Sequence, residues 1–549
     1  MISLISEKWL PVKRRSGLLD WIRPSQISEP DIVSFAARRA DFNGALAQLM
    51  IGMLQTARQA EDEMDWRDLD GAPPDAATLD RWFAPFTDAF MLDGHGARFM
   101  QDFTLAEKEG IEFGIGALLI DSPGGSAVKK NTDHFVKRDT VSAMCPHCAA
   151  TALFTLQTNA PEGGRGNLTS LRGGGPLTTL VIKTALPGMP QPSLWQTLWL
   201  NVRPDRVFQA GGGDKKKTEA CFTFPWMADI RKIQASGGET QPLHVHPAHI
   251  FWAMPRRIRL EFAAARAGCC DICKRDSPQL VSRYVSKPQG LNYKGAWRHP
   301  FSPYRETKEG WLPVHPQPGG FSYRNWLAWV LDSSTSNKNV QAAVVVNYVL
   351  ESRKQESGQI RLWVFGYDMD SMKPRCWYES TFPLYDLPGS TRLTQTHVQE
   401  LAKSLIVAAE LAVYYLRQAV KTAWFGDADL RGDLSFVDRA FWDATDAGFY
   451  ARLGDVIARG RSAAGIDLSD APFILAFGEA WLKTLHNAAI KIFDVDIVGA
   501  GAIAQQDPRR VAEAYNAMRR NFNGNAMRQT LGLPVIEKPG KGSKKSKAA

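Results

Sequence analysis

Two pairs of cysteines carry the strongest chemical signal in the chain. Cys145 and Cys148 stand in CPHC, and Cys270 and Cys273 stand in CDIC, so each pair offers two sulfurs from one tight turn. Four thiolates at that spacing suit a tetrahedral four-cysteine site for Zn2+. Such a site would be structural, because four protein ligands leave no open position for water or substrate. The spacing also allows two unrelated reduced pairs, and Cys269 is a spare neighbour of the second. Seven cysteines in 549 residues do not suggest a disulfide scaffold.

The first pair lies between two loops suited to phosphates. Before it runs SPGGSAVKKNTDHFVKRDTV, where Lys129, Lys130, Lys137 and Arg138 surround one aromatic residue, Phe135. That mixture invites phosphate contact plus one stacked or wedged ring. After it, beyond the apolar run CAATALFTLQ, comes NAPEGGRGNLTSLRGGGPLTT, rich in glycine and carrying two arginines. Glycine lets backbone approach a ligand closely, since no Cβ intervenes. The GK[ST] ending of a P-loop is missing, so the functional reading is backbone approach to a nucleic acid in the narrow minor groove. A mobile surface loop is the plain alternative.

Catalytic constellations are harder to find. His244, His246 and His249 crowd into HVHPAH without a matching carboxylate motif, and a packed turn explains them more simply than a ligand set. Asp368 and Asp370 in GYDMD could hold a metal, but a two-metal nuclease needs further acidic partners that the sequence does not supply. No GxSxG, HExxH or Walker pair is present. The chain reads as a binding protein, not an enzyme; a metal-dependent nucleic-acid-processing enzyme is the alternative.

The elements that must position these residues fall into two regions. Length alone predicts about two to four domains. Hydrophobic residues at 44% and charged residues at 22% give an ordinary globular composition. Of the formal net charge of +9, five Lys against one Glu lie in the final IEKPGKGSKKSKAA, so the body is only mildly basic. Any nucleic-acid surface must therefore come from local clustering. No apolar stretch approaches a membrane span and the start lacks a signal peptide's h-region, so a cytoplasmic protein with no membrane partner is expected.

Residues 1–385 read as mixed α/β. SLISEKWLPV is a short edge strand and ADFNGALAQLMIGMLQTARQA a helix, while FMQD belongs to the core. TTLVIKTAL, RIRLEF, NVQAAVVVNYVLES and QIRLWVFGYDMDSMKPRCWYE read as strands, and LWQTLWLNV as strand or helix. GGGDKKK reads as a flexible, exposed linker. Residues 390–530 read as four amphipathic helices near 394–425, 434–460, 470–494 and 507–530. In the fourth, Val511, Tyr515, Met518 and Phe522 share a face flanked by Arg509, Arg510, Arg519 and Arg520. The expected fold class is α+β: a large mixed α/β N-terminal domain with a four-cysteine zinc-type site, then a C-terminal four-helix bundle. Residues 531–549 read as a basic disordered tail.

Taken in order, WLPV, RFMQD, CPHC with ALFTLQTNAPEGGRG, SLRGGGPLTT, the second CxxC, WRHPFSPY and GYDMDSMKPRCWYE resemble the CasA family. That family is the large subunit of Cascade, the type I-E CRISPR surveillance complex. The resemblance runs from about residue 2 to 530 and rests on shared order, not on one motif. It implies a non-enzymatic subunit that works with the other Cascade subunits and crRNA. Such a subunit recognises the protospacer-adjacent motif in target double-stranded DNA from the minor groove, starts strand separation and recruits a helicase-nuclease. On this sequence the motif-reading loop falls on Gly163, Gly164, Arg165 and Gly166, with Arg165 departing from an all-glycine core. The basic reader falls on Lys287, or on Ser286 in a shifted alignment. The loop that contacts the core of the complex maps to about 122–143, with Phe135 as its aromatic. The strand-splitting wedge maps to 370–374, where Ser371, Met372 and Lys373 stand in place of a glutamine.

Overall fold

Packing sorts the chain into two compact units: Met1–Gln317 with Ala328–Asp386, and Pro318–Leu327 with Leu387–Ala549. The computed structural model describes residues 1–536 other than 58–59, 106–108, 131–137, 165, 186–187, 210–211, 264, 331–332, 336–337, 353–359, 385–391, 428, 430–431, 463–464 and 500–506.

The first unit is mixed α/β and grows around two buried helices. Ala40–Ala57 is buried on nearly every face, as is Pro146–Asn159, and the two pack together. A helix apolar all round can only be a core helix. Small antiparallel sheets surround this pair. One orders Leu19–Ile22, Leu10–Arg14 and Ile32–Phe35; another orders Lys373–Pro383, Ile360–Asp370 and Thr178–Lys183. A third orders Ile111–Gly114, Arg283–Lys287 and Arg257–Leu260, and Arg266–Cys269 pairs with Asp276–Leu280 as a ribbon. Phe90, Phe99, Phe224, Trp226 and Trp252 form one aromatic cluster, with Phe90 and Phe99 5.2 Å apart. Both indoles of the cluster find an acceptor: Trp226 donates to the Ala89 carbonyl at 2.6 Å and Trp252 to Thr56 Oγ1 at 3.0 Å. All four residues of FMQD are buried here, as expected.

Three local expectations differ, and one left open is closed. Leu10–Arg14 is the middle strand of its sheet and not an edge, because Pro11, which has no N–H to give, precedes the Val12–Phe35 pairing. The Val344–Ser352 segment is a helix although its β-branched run favours a strand. Burial of Val345, Val346 and Val349 on one helical face outweighs that propensity. LWQTLW resolves to a helix, Leu194–Trp199, because Ser193 and Gln196 close a capping box at its start. The described part of GGGDKKK, 212–217, is not a free linker. A Cβ on Gly213 would lie 2.7 Å from Pro247, Asp214 N–H donates to the Val245 carbonyl at 2.9 Å, and the Lys217 ammonium sits 4.6 Å over the Phe222 ring.

In the second unit the long helices Arg392–Phe425, Ser435–Arg461, Ala471–Lys491 and Pro508–Phe522 follow the expected periodicity. The first touches each of the other three. Asp507 caps the last by accepting from Arg510 N–H, with Pro508 at its first position. Residues 318–327 join this unit through Tyr323, which stacks on Phe449 at 4.4 Å and hydrogen-bonds Thr445 Oγ1 at 2.8 Å. Leu531 and Leu533 are buried, so packed chain continues past the 530 boundary expected for the tail. The remainder of that tail, 537–549, lies outside the described residues.

Candidate nucleic-acid interface and cysteine centre

The four cysteines meet. Cys145 is the N-cap of the Pro146–Asn159 helix and accepts from Cys148 N–H at 3.4 Å, which puts both sulfurs at one helix end. Cys270 and Cys273 come from the turn that closes the 266–280 ribbon, with Lys274 in a left-handed conformation at φ +61°. The four sulfurs lie within 4.8 Å of one another, and Cys145 Sγ is 3.8 Å from Cys273 Sγ. Zinc–sulfur bonds of about 2.3 Å in a tetrahedron separate the sulfurs by about 3.8 Å, so the donor set fits that ion. Hydrogen bonds from Cys145 and Cys148 hold the Cys273 thiol down at about 7. The two knuckles are also braced directly. The Asp271 carboxylate accepts from Ser142 N–H at 2.8 Å and Ala143 N–H at 2.9 Å, while Met144 and Val281 exchange backbone hydrogen bonds.

That helix is about 20 Å long by its rise per residue, and its other end delivers the glycine loop. Gln157, in the last turn, clamps the backbone of Arg256, accepting from its N–H at 3.0 Å and donating to its carbonyl at 2.9 Å. The buried Arg256 guanidinium donates to the carbonyls of Pro161 and Leu168, the two feet of the loop. Burial pushes this guanidinium down to about 10, so it stays cationic at neutral pH. Between the feet, Gly163 N–H donates to the Asn167 carbonyl at 3.0 Å. Gly166 takes φ +82°, a conformation that favours glycine. Gly164 is exposed, and a Cβ there would meet nothing within 4 Å.

Two other segments reach the same place. Gln289 N–H donates to the Gly166 carbonyl at 3.0 Å, so the turn after Lys287 is hydrogen-bonded to the glycine loop. Lys287 itself is half-buried, with its ammonium 3.4 Å from Glu109. Ser286, the shifted alternative, turns its hydroxyl to the Arg257 carbonyl at 3.1 Å. The third segment is the tip of the 360–383 hairpin, a two-residue turn of Ser371 and Met372 with φ of +49° and +61°. Positive φ at both central residues is the type I′ geometry that usually calls for Asn-Gly. Met372 Sδ lies 3.3 Å from where a Cβ on Gly174 would stand, and that same Cβ would be 2.9 Å from Pro161 Cα. The glycine loop, the Lys287–Gln289 turn and the hairpin tip with exposed Lys373 thus form one contiguous patch.

A family model for the CRISPR-associated protein Cse1 matches residues 3–492. The chain belongs to the Cse1 family. Among solved structures, CasA (Cse1) of Thermus thermophilus is 17% identical, with a TM-score of 0.64 over 95% of this chain and 100% of that one. Cse1 from Acidimicrobium ferrooxidans is 16% identical, with a TM-score of 0.63 over 97% of this chain and 98% of that one. A chain in a structure titled as a CRISPR RNA-guided surveillance complex is 16% identical, with a TM-score of 0.65 over 95% and 99%. At these identities the likeness is one of fold.

Within this family member, other expected residues separate from the patch or fall outside view. Phe135, Lys137 and Arg165 lie outside the described residues. Arg138 is described and donates to the Val128 carbonyl at 3.2 Å. Asp368 is buried and receives both arms of Arg375, at 2.8 and 3.0 Å, which accounts for its carboxylate without a metal. His249 hydrogen-bonds the Phe222 carbonyl and Tyr293 hydroxyl, and burial pushes it down to about 3; His246 and His244 accept local backbone N–H groups. Those histidines are packed-turn residues. Arg510 caps the Arg392–Phe425 helix by donating to the Ala423 carbonyl at 3.0 Å, and Arg509 pairs with Glu513. Arg256 and Gln289 were not legible as site residues, because their partners are backbone atoms distant in sequence.

Proposed function

We propose that this chain is the large subunit of a type I-E Cascade, reading the protospacer-adjacent motif of duplex DNA and starting its separation for crRNA pairing. The contiguity of the Gly163–Gly166 loop, Lys287 and the Ser371–Lys373 tip carries this reading. The fold likeness to a chain of an RNA-guided surveillance complex supports the assembly, with the other subunits and crRNA as partners. Exposed cations load the duplex through phosphates, a contact that is salt-sensitive and sequence-blind. The side-chain-poor backbone around Gly164 then enters the minor groove beside Lys287, where the donor and acceptor pattern is degenerate, so a permissive motif follows. Arg165 belongs to this loop and either enters the groove or shifts the preferred motif. Met372 presents an apolar tip to the first base step, whose unstacking costs a few kcal/mol and is offset as guide pairing proceeds.

Cys145, Cys148, Cys270 and Cys273 would hold Zn2+ as a closed structural clasp that fixes the start of the helix leading to the loop. The four long C-terminal helices act as a four-helix bundle that contacts neighbouring subunits, with Arg519 and Arg520 as further candidates toward the displaced strand. The basic loop near 122–143, with Phe135, Lys137 and Arg138, faces the crRNA-bearing core, and the assembled surface recruits the helicase-nuclease. The chain acts in the cytoplasm by binding, without catalysis of its own. Among the described residues no helix is long and apolar enough to cross a membrane.

Gel-shift titrations of the assembled complex against duplexes carrying every motif variant test this. Motif-dependent affinity should require this chain and be lost with Gly164→Trp. Unchanged binding would assign the loop an architectural role. Plasmid nicking by the chain with Mg2+ or Mn2+, abolished by Asp368→Ala, would instead favour a nuclease.

A further inference from the structure

The GGGDKKK segment lies beside a feature that motif reading does not use. Arg203, Phe208, Gly212, Gly213, Trp297 and Arg298 line a cavity of about 20 Å3. Among the described residues its wall contains two guanidiniums and no carboxylate. Arg203 is only 5% exposed, and its Nε–H has no acceptor. Trp297 is 8% exposed, and its indole N–H has none either. Two orphaned donors on one small cavity are unusual, since buried N–H groups are nearly always paired.

Aromatic rings surround the positive charge without neutralising it. The Arg203 guanidinium lies 5.2 Å over the Phe208 ring, and that of Arg298 lies 4.7 Å from both Tyr304 and Trp311. Burial pushes Arg203 down to about 10, so it enters the interior charged at neutral pH. An uncompensated buried cation is expensive, and it asks for an anion. Gly212 and Gly213, at φ +123° and +92°, bring bare backbone to the rim. Lys215, Lys216 and Lys217 follow, and the Asp214 carboxylate is turned to the Lys216 N–H at 3.0 Å.

We infer that this cavity is a binding site for a single small inorganic anion, chloride in size and charge. The volume decides the size, because it admits about one water-sized guest and excludes a nucleotide. The anion accepts from the donors of Arg203 and Trp297, offsets Arg298 and pins the Gly212 and Gly213 backbone to the body. This site is independent of the reading of the DNA-facing patch.

Thermal melts of the full chain in sodium chloride and in sodium glutamate at equal ionic strength test the inference. The wild-type melting temperature should fall by about 1–3 °C in glutamate. Trp297→Phe keeps the ring and removes the N–H, and Arg298→Gln removes a charge; each should abolish that difference. A bromide-soaked crystal should show an anomalous peak within about 3.5 Å of the Arg203 guanidinium. The same glutamate effect in wild type and Trp297→Phe, or no bromide there, would overturn the site. Protection by sodium phosphate but not by chloride would overturn the size assignment.

Discussion

Two glycine clusters separated by a few residues, 163–166 and 173–175, are alike in composition and differ in their surroundings. In the second, every glycine is held by close approach. A Cβ would lie 2.7 Å from His315 at Gly173, 2.9 Å from Pro161 Cα at Gly174 and 2.7 Å from the Tyr367 carbonyl at Gly175. In the first, Gly166 bends the chain and Gly164 faces open space. One cluster is bare so that the protein can touch itself; the other leaves an open face at Gly164, where the proposed reading puts DNA. Glycine content alone does not separate the two, but what surrounds each missing Cβ does.

Substitutions at the two clusters should therefore fail in different assays. Gly175→Ala puts a side chain at φ +59° against a carbonyl, and should cost about 2–4 kcal/mol of stability, read as a lower melting temperature. The folded fraction should still bind motif DNA with near wild-type affinity. Gly164→Trp should do the reverse, with a melting temperature within about 1 °C of wild type and affinity of the assembled complex for motif duplex lower by about 100-fold, or about 2.7 kcal/mol. Arg256→Lys keeps the charge but reaches one loop foot instead of two. Discrimination between motif and scrambled duplex should fall about tenfold, while affinity for the scrambled one changes little. Lys287→Ala should weaken binding most for the preferred motif and so narrow discrimination among motif variants, while affinity for scrambled duplex changes little. Smallest is Ser371→Asn with Met372→Gly, which suits the hairpin tip to its positive φ and should raise stability by about 1 kcal/mol. If Met372 wedges base steps, the same change slows duplex opening, as followed by 2-aminopurine fluorescence next to the motif.

Much of this arrangement was legible in sequence where the signal is local. The CxxC spacing pointed to one thiolate centre, and the sulfurs meet. The 3.6-residue pattern placed the C-terminal helices to within a few residues, except that the fourth breaks at Asn523–Gly524 before Asn525–Thr530. The strand character of QIRLWVFGYDMDSMKPRCWYE was legible, and the structure pairs its two halves as one hairpin. What stayed hidden depends on contacts between distant segments. Val344–Val346 is helical because tertiary burial outweighs β propensity, and Tyr323 joins the second unit by one stacked ring and one hydroxyl. Arg256 carried no signal in MPRRIR, since nothing nearby announces that its acceptors are the Pro161 and Leu168 carbonyls. The packing role of Gly173–Gly175 was invisible for the same reason.

Affinity cleavage from the loop itself is the most direct measurement. With Cys269→Ser and Cys376→Ser removing the exposed native thiols, Gly164→Cys can carry an iron chelate in the assembled complex. Strand scission confined to the minor groove at the base pairs flanking the protospacer, and lost when the motif is scrambled, is the predicted result. Scission spread evenly along the duplex, or none at all, would contradict it.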